Sequence, residues 1–196
     1  MSKTSEKTRF LTVMGILTAI VVVMQAMAIG IRLGQFSVAL VIVPIVVGAA
    51  LYGWKAGAWL GFVFSVVVLF TDSAAFMTIN AFGTVVTVIL KGTLAGVAAA
   101  VVYRLLEKKN AWLAAIAAAL AAQLVNKAIF LLGCAVFFFG TIREWAAGAG
   151  YESIVLYLFF GLTGLNFLVE TPINILLSTA IVRIVDIARN IRASKA

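Results

Sequence analysis

Residues 83–103 read GTVVTVILKGTLAGVAAAVVY, an apolar run of 21 residues broken by one charge, Lys91. Wound as an α-helix at 1.5 Å per residue, the run reaches about 31 Å, against a bilayer hydrocarbon core of roughly 30 Å. It is read as a membrane span. Lys91 then lies well inside the bilayer, where insertion scales put a charge at about 2.5 to 3.5 kcal/mol. Lys127 and Glu170 stand inside comparable apolar runs. Charges retained at that cost point to a small-molecule site within the membrane.

The rest of the chain has the same character as this run. Of its 196 residues 64% are hydrophobic, and the mean hydropathy is +1.17; such a composition excludes an ordinary soluble fold. The length accommodates about six spans of about 20 residues with short turns, so the expected architecture is all-α, a six-transmembrane-helix bundle forming one domain over residues 1–196. A net charge of +8 would suggest nucleic acid in a soluble protein. Here the cations gather at span ends, as the positive-inside rule requires, and no nucleic-acid partner is expected.

The six spans are expected at residues 10–29, 36–51, 56–70, 83–103, 112–139 and 154–184, with Pro172 kinking the last. The basic segment 1–9 lacks a small-residue cleavage pattern and is read as leading into a retained first helix. Lys3, Lys7, Arg9, Lys55, Arg104, Lys108, Lys109, Arg183, Arg189, Arg192 and Lys195 fall on one side of this plan, and only Arg32 and Arg143 on the other. Eleven cations against two place both termini in the cytoplasm and demand an even number of spans. Arg32, Gln35, Asp72, Asn80, Trp145 and Tyr151 lie in the outer links, either as a lid or as ordinary loop and interfacial residues.

Polar residues inside the spans recur at helical spacing. Gln123, Asn126 and Lys127 share a broad face of the fifth span; Asn166, Glu170 and Asn174 follow one another at four-residue steps in the sixth; Thr84, Thr87 and Lys91 lie on one side of the fourth. Two ammonium groups, one carboxylate and several amides and hydroxyls suit an organic ligand with charged and neutral polar groups. The plainer reading is that Glu170 neutralises one lysine and the amides join helices. One glutamate cannot neutralise two lysines, and the spare cation invites an anion. Lys91 and Lys127 both fall about 10 to 18 Å from the outer ends of their spans, so the site is expected to open outwards.

Metal and catalytic chemistry have no residues to carry them. The chain has no histidine and a single cysteine, Cys134, which excludes an intrachain disulfide and a cysteine metal site. It shows no phosphate-binding glycine loop, no G-x-S-x-G and no paired acids for a two-metal site. No catalytic residue, bound metal or cofactor is therefore expected, and the chain is not read as an enzyme. Small residues at four-residue spacing, Gly15 with Ala19, Ala26 with Gly30, Gly57 with Gly61 and Gly92 with Gly96, allow close helix approach, either within the bundle or toward another protein.

These features resemble the substrate-binding S component of an energy-coupling factor (ECF) vitamin transporter. Thr8-Arg9 before a first helix containing Gly15-Ile-Leu-Thr-Ala19 is similar to that family's start. The segments VPIVVGAALYG (43–53) and AGAWLG (56–61) resemble its paired second and third helices; Lys91-Gly92, Asn126, and Glu170 with Asn174 resemble its fourth, fifth and sixth. The resemblance implies a multi-pass protein of the prokaryotic plasma membrane that captures a vitamin-like substrate from outside. It also implies delivery through a membrane coupling subunit and two ABC ATPases, with ATP used by those partners. Gly15 and Ala19 would touch the coupling subunit. Lys91, Asn126, Lys127, Glu170, Asn174, Thr87 and Gln123 would bind substrate, and the pantothenate-type subgroup is the most similar. The alternative is a self-sufficient secondary transporter of a small organic anion, with Glu170 as its proton site.

Overall fold

The apolar runs fold as helices. The computed structural model describes residues 3–28, 32–33, 36–37 and 41–193. In chain order these are α1 (Lys3–Ala28), β1 (Arg32–Leu33), β2 (Phe36–Ser37), α2 (Ile42–Tyr52), α3 (Trp54–Thr71), α4 (Ala74–Met77), α5 (Ala81–Leu106), α6 (Ala111–Phe137), α7 (Phe139–Gly148), α8 (Ile154–Leu156), a π-helical segment (Tyr157–Gly164) and α9 (Leu165–Ala193). Among the described residues five stretches are long and apolar enough to cross a bilayer: Glu6–Ala28, Trp54–Thr71, Ala81–Leu106, Ala111–Phe137 and Ile154–Ala188. With α2 they make the expected six-helix plan.

The second member departs from expectation. Instead of a span from residue 36, α2 has 11 residues, about 16 Å of helix. Phe36 and Ser37 pair antiparallel with Leu33 and Arg32 in a two-residue ladder. Pro44 falls in the first turn of α2, where its missing N–H is no loss. Ile42, Pro44, Ile45, Val46, Val47, Gly48, Ala49 and Ala50 are buried, so α2 is covered nearly all round. It packs against α1, α3, α5, α6 and α9. A helix enclosed by its neighbours can be shorter than the bilayer is thick, because little of its backbone faces lipid.

Other boundaries move for local reasons. Phe138 leaves helical geometry at φ −130° and ψ 13°, ending the fifth span at Phe137 and starting α7 inside the expected outer link. The sixth span opens with α8 and the π-helix, and α9 continues past residue 184 to Ala193. The link at 71–82 contains α4. Asn80, expected among the outer polar residues, caps α5 by accepting the Gly83 N–H at 2.9 Å. Asn110 caps α6 in the same way, accepting from Trp112 N at 2.8 Å and Leu113 N at 3.1 Å. Such caps are worth about 1 kcal/mol each.

Glycine decides how closely α3 and α5 approach. A Cβ on Gly57 would strike the Gly96 backbone and one on Gly61 the Gly92 backbone, and the reverse substitutions collide likewise. Both four-residue glycine pairs thus serve internal packing. Between α5 and α6 the core is small, with Ala95, Ala99, Ala100, Ala114, Ala115, Ala118, Ala119 and Ala122 buried. A second, aromatic-rich cluster holds Phe76, Phe138, Ile142, Tyr157 and Leu162. Outward faces carry Phe70 at 86% exposure and Phe82 at 73%, an apolar coat suited to lipid.

Candidate functional site

Between the two clusters lies a partly open chamber bordered by Phe64 and Val68 of the alanine-rich core and Phe76, Phe138 and Leu162 of the aromatic one. The space open to the centre of a water molecule is about 80 Å³, several times the 10 to 15 Å³ that one water needs on that measure. Its polar border is formed by Gln25 from α1, Asp72 and Ser73 from the end of α3, Thr84, Thr87 and Lys91 from α5, Asn126 and Lys127 from α6, Thr163 from the π-helix and Glu170 from α9. α5 and α6 run antiparallel. Lys91 lies ten residues from the start of α5 and Lys127 ten residues from the end of α6, so both stand about 15 Å below the same end of the bundle.

The two lysines have different surroundings. Lys127 Nζ is 2.9 Å from Glu170 Oε2, the lysine side chain 17% exposed and the glutamate 3%. Gln123 Nε2 donates to the same carboxylate oxygen at 3.1 Å, and Thr171 Oγ1 donates to Gln123 Oε1 at 3.3 Å. A cation, an amide and a hydroxyl thereby lock α6 to α9. Lys91 instead places Nζ 5.3 Å from the centre of the Phe130 ring, a cation–π contact worth about 0.5 to 2 kcal/mol. Among the described residues it makes no ion pair or hydrogen bond.

Of the residues named from sequence, Thr87, Lys91, Asn126, Lys127 and Glu170 come together around the chamber. Gln123 borders an adjoining void of about 20 Å³ that shares Asn126, Lys127 and Glu170. Asn174 borders neither: it is 1% exposed, and its Oδ1 and Nδ2 have no hydrogen-bond partner. The Asn166 side chain and Gln35 lie outside the described residues. Gly15 and Ala19 sit on the exposed side of α1, opposite the buried Met14, Leu17 and Val21, and a Cβ on Gly15 would meet nothing within 4 Å.

Sequence reasoning missed Gln25 and the aromatic wall. Gln25 is 2% exposed and donates to Asp72 Oδ2 at 3.2 Å; as the one amide in α1, it carried a signal. Phe64, Phe76, Phe130 and Phe138 carried none, being apolar residues in apolar segments. Asp72, taken for a loop or lid residue, borders the chamber itself. Trp145 and Tyr151 from the same outer group make ring contacts with Phe76 and Tyr157, at 5.5 and 5.3 Å between centroids.

A six-helix membrane protein with a polar chamber walled by aromatic rings defines a class of small-molecule binding proteins of the bilayer. The sequence pattern of the family described as ECF transporter, substrate-specific component, matches residues 9–182, and the chain belongs to that family. Comparison with curated proteins and with solved structures returns no significant match. Membership makes this a multi-pass membrane protein and the substrate-binding subunit of an ECF transporter, with a small-molecule substrate and ECF module partners. It is a transport component; the family is not an enzyme class.

Proposed function

We propose that this subunit captures a vitamin-like small anion at the chamber from the extracellular side and hands it to a membrane coupling subunit driven by two ABC ATPases, where the ATP is used. The observation that carries the reading is Lys91, an ammonium group bordering the chamber that lies over the Phe130 ring and makes no ion pair or hydrogen bond among the described residues. Thr87 and Asn126 stand beside it to bond neutral atoms of the ligand. Lys127, Glu170 and Gln123 form the braced wall from which Asn126 projects. Pantothenate, suggested by the subgroup resemblance, carries one carboxylate and is the reference ligand.

The cation distribution supports cytoplasmic termini, the chain's length a single domain and the family resemblance a prokaryotic plasma membrane, and the exposed Gly15 and Ala19 supply the docking face for the coupling subunit. The deciding experiment is reconstitution. The chain alone should bind ligand without transporting it, and uptake should need the coupling subunit and ATP. Uptake by the chain alone, driven by a proton gradient, would reject the proposal. Native mass spectrometry of ligand retained through gentle purification would give the cargo's mass.

A further inference from the structure

The borders of the chamber also restrict what its ligand can be, an inference that rests on the capture reading above. We infer that the ligand is a compact aromatic monoanion, its charged group on Lys91 and its ring among Phe64, Phe76, Phe130 and Phe138.

Charge sets the first restriction. Four ionisable side chains border the chamber: Asp72, Lys91, Lys127 and Glu170. Lys127 and Glu170 answer each other at 2.9 Å and Asp72 Oδ2 accepts from Gln25 Nε2 at 3.2 Å, so among the described residues Lys91 is the one of the four with no ion-pair or hydrogen-bond partner of its own. A ligand with a second negative charge would bring it against Asp72 or Glu170, both carboxylates at the same chamber, where like charges repel strongly because little water screens them.

Hydrogen bonding sets the second. The hydroxyl of Ser73 donates to Val68 O at 3.1 Å, that of Thr84 to Asn80 O at 2.8 Å and that of Thr163 to Leu158 O at 3.0 Å. Their donors are spent on the backbone. Gln25 donates to Asp72, and Lys127 and Gln123 are held by Glu170; Thr87 Oγ1 is buried without a partner, so among the described residues Thr87, Lys91 and the Asn126 amide are the main groups left for a ligand. Such a site serves a carboxylate and one or two further heteroatoms. A polyhydroxylated body would enter it with hydroxyls unpaired, which is costly away from water.

The apolar wall sets the third. Phe76 meets Phe130 and Phe138 edge to face, with centroids at 5.8 and 5.1 Å and planes at 83° and 82°. Rings already crossed at right angles present both faces and edges, the arrangement into which another ring packs best. Lys91 on the Phe130 face then holds an anionic substituent at the ring's edge.

The test uses the full chain in lipid nanodiscs and equilibrium binding of benzoate, nicotinate, cyclohexanecarboxylate, phthalate and pantothenate. Benzoate or nicotinate should bind at least tenfold tighter than cyclohexanecarboxylate and phthalate. Lys91→Met should weaken that binding at least tenfold, and Phe130→Leu should reduce the preference for the aromatic over the saturated ring to below threefold. Equal or tighter binding of cyclohexanecarboxylate, phthalate or pantothenate overturns the inference, as does failure of both aromatic acids to bind. Pantothenate binding at least as tight as that of the aromatic acids and dependent on Lys91 would sink the aromatic class and leave the capture reading standing. No binding of any probe, together with no association with a coupling subunit, would sink both.

Discussion

Lys127 and Glu170 form a 2.9 Å ion pair between α6 and α9, and the pair sets the role of Lys91, the other lysine at the same depth. Paired charges out of water rarely stabilise a protein relative to apolar replacements, but removing one partner strands the other. Glu170→Leu or Lys127→Met alone should therefore destabilise the bundle by about 3 kcal/mol, and combining the two should recover all but about 1 kcal/mol. Unfolding in mixed micelles, run as a double-mutant cycle, measures this. A loss in the double variant equal to the sum of the two single losses would show that the pair carries no coupling.

The lysines and Glu170 were legible in the sequence because a charge in an apolar run stands out against its neighbours. Four-residue spacing then gathered Thr87, Gln123 and Asn126 onto the right faces. Asn174 obeys the same spacing and still misses the chamber, since spacing fixes a helix face but not the level at which a cavity ends. The aromatic wall had no contrast to betray it. The shortness of α2 was hidden for a related reason: residues 36–52 stay apolar whether or not they are helical, and hydropathy reports environment more directly than backbone geometry. α7 did carry a signal, with Ile142 and Ala146 buried one turn apart on an otherwise mixed segment.

Glycine at the α3–α5 contact is replaceable only at the expense of the contact. Gly61→Leu or Gly96→Leu places a side chain where the facing backbone already lies, and overpacking of this kind costs about 1 to 3 kcal/mol. Gly140→Ala, where a Cβ meets nothing within 4 Å, should stay within about 0.5 kcal/mol of the parent. Thermal unfolding of the three variants in one detergent separates the cases; a fall for Gly140→Ala as large as for Gly96→Leu would contradict the packing argument.

Asn174 buries an amide whose oxygen and nitrogen have no partner. Replacing it with leucine removes that desolvation cost at similar volume, so Asn174→Leu should raise stability by about 1 to 2 kcal/mol. Because Asn174 does not border the chamber, ligand affinity should stay within about twofold, under 0.5 kcal/mol. A tenfold loss of affinity would instead mean that α9 moves on binding and brings this residue to the ligand.

Gly15 and Ala19 leave a shallow, exposed strip on α1, while Met14, Leu17 and Val21 on the other side hold the helix to the bundle. Leucine at both positions fills that strip without touching a neighbour, so stability should change by no more than about 0.5 kcal/mol and ligand affinity should not change. Close approach of a partner helix would be blocked, because small residues at this spacing are what let two backbones meet. Co-purification of Gly15→Leu/Ala19→Leu with the coupling subunit and its ATPases should therefore fall at least tenfold, about 1.4 kcal/mol, and ATP-driven uptake should fall with it. Full association of the double variant would move the docking face off α1.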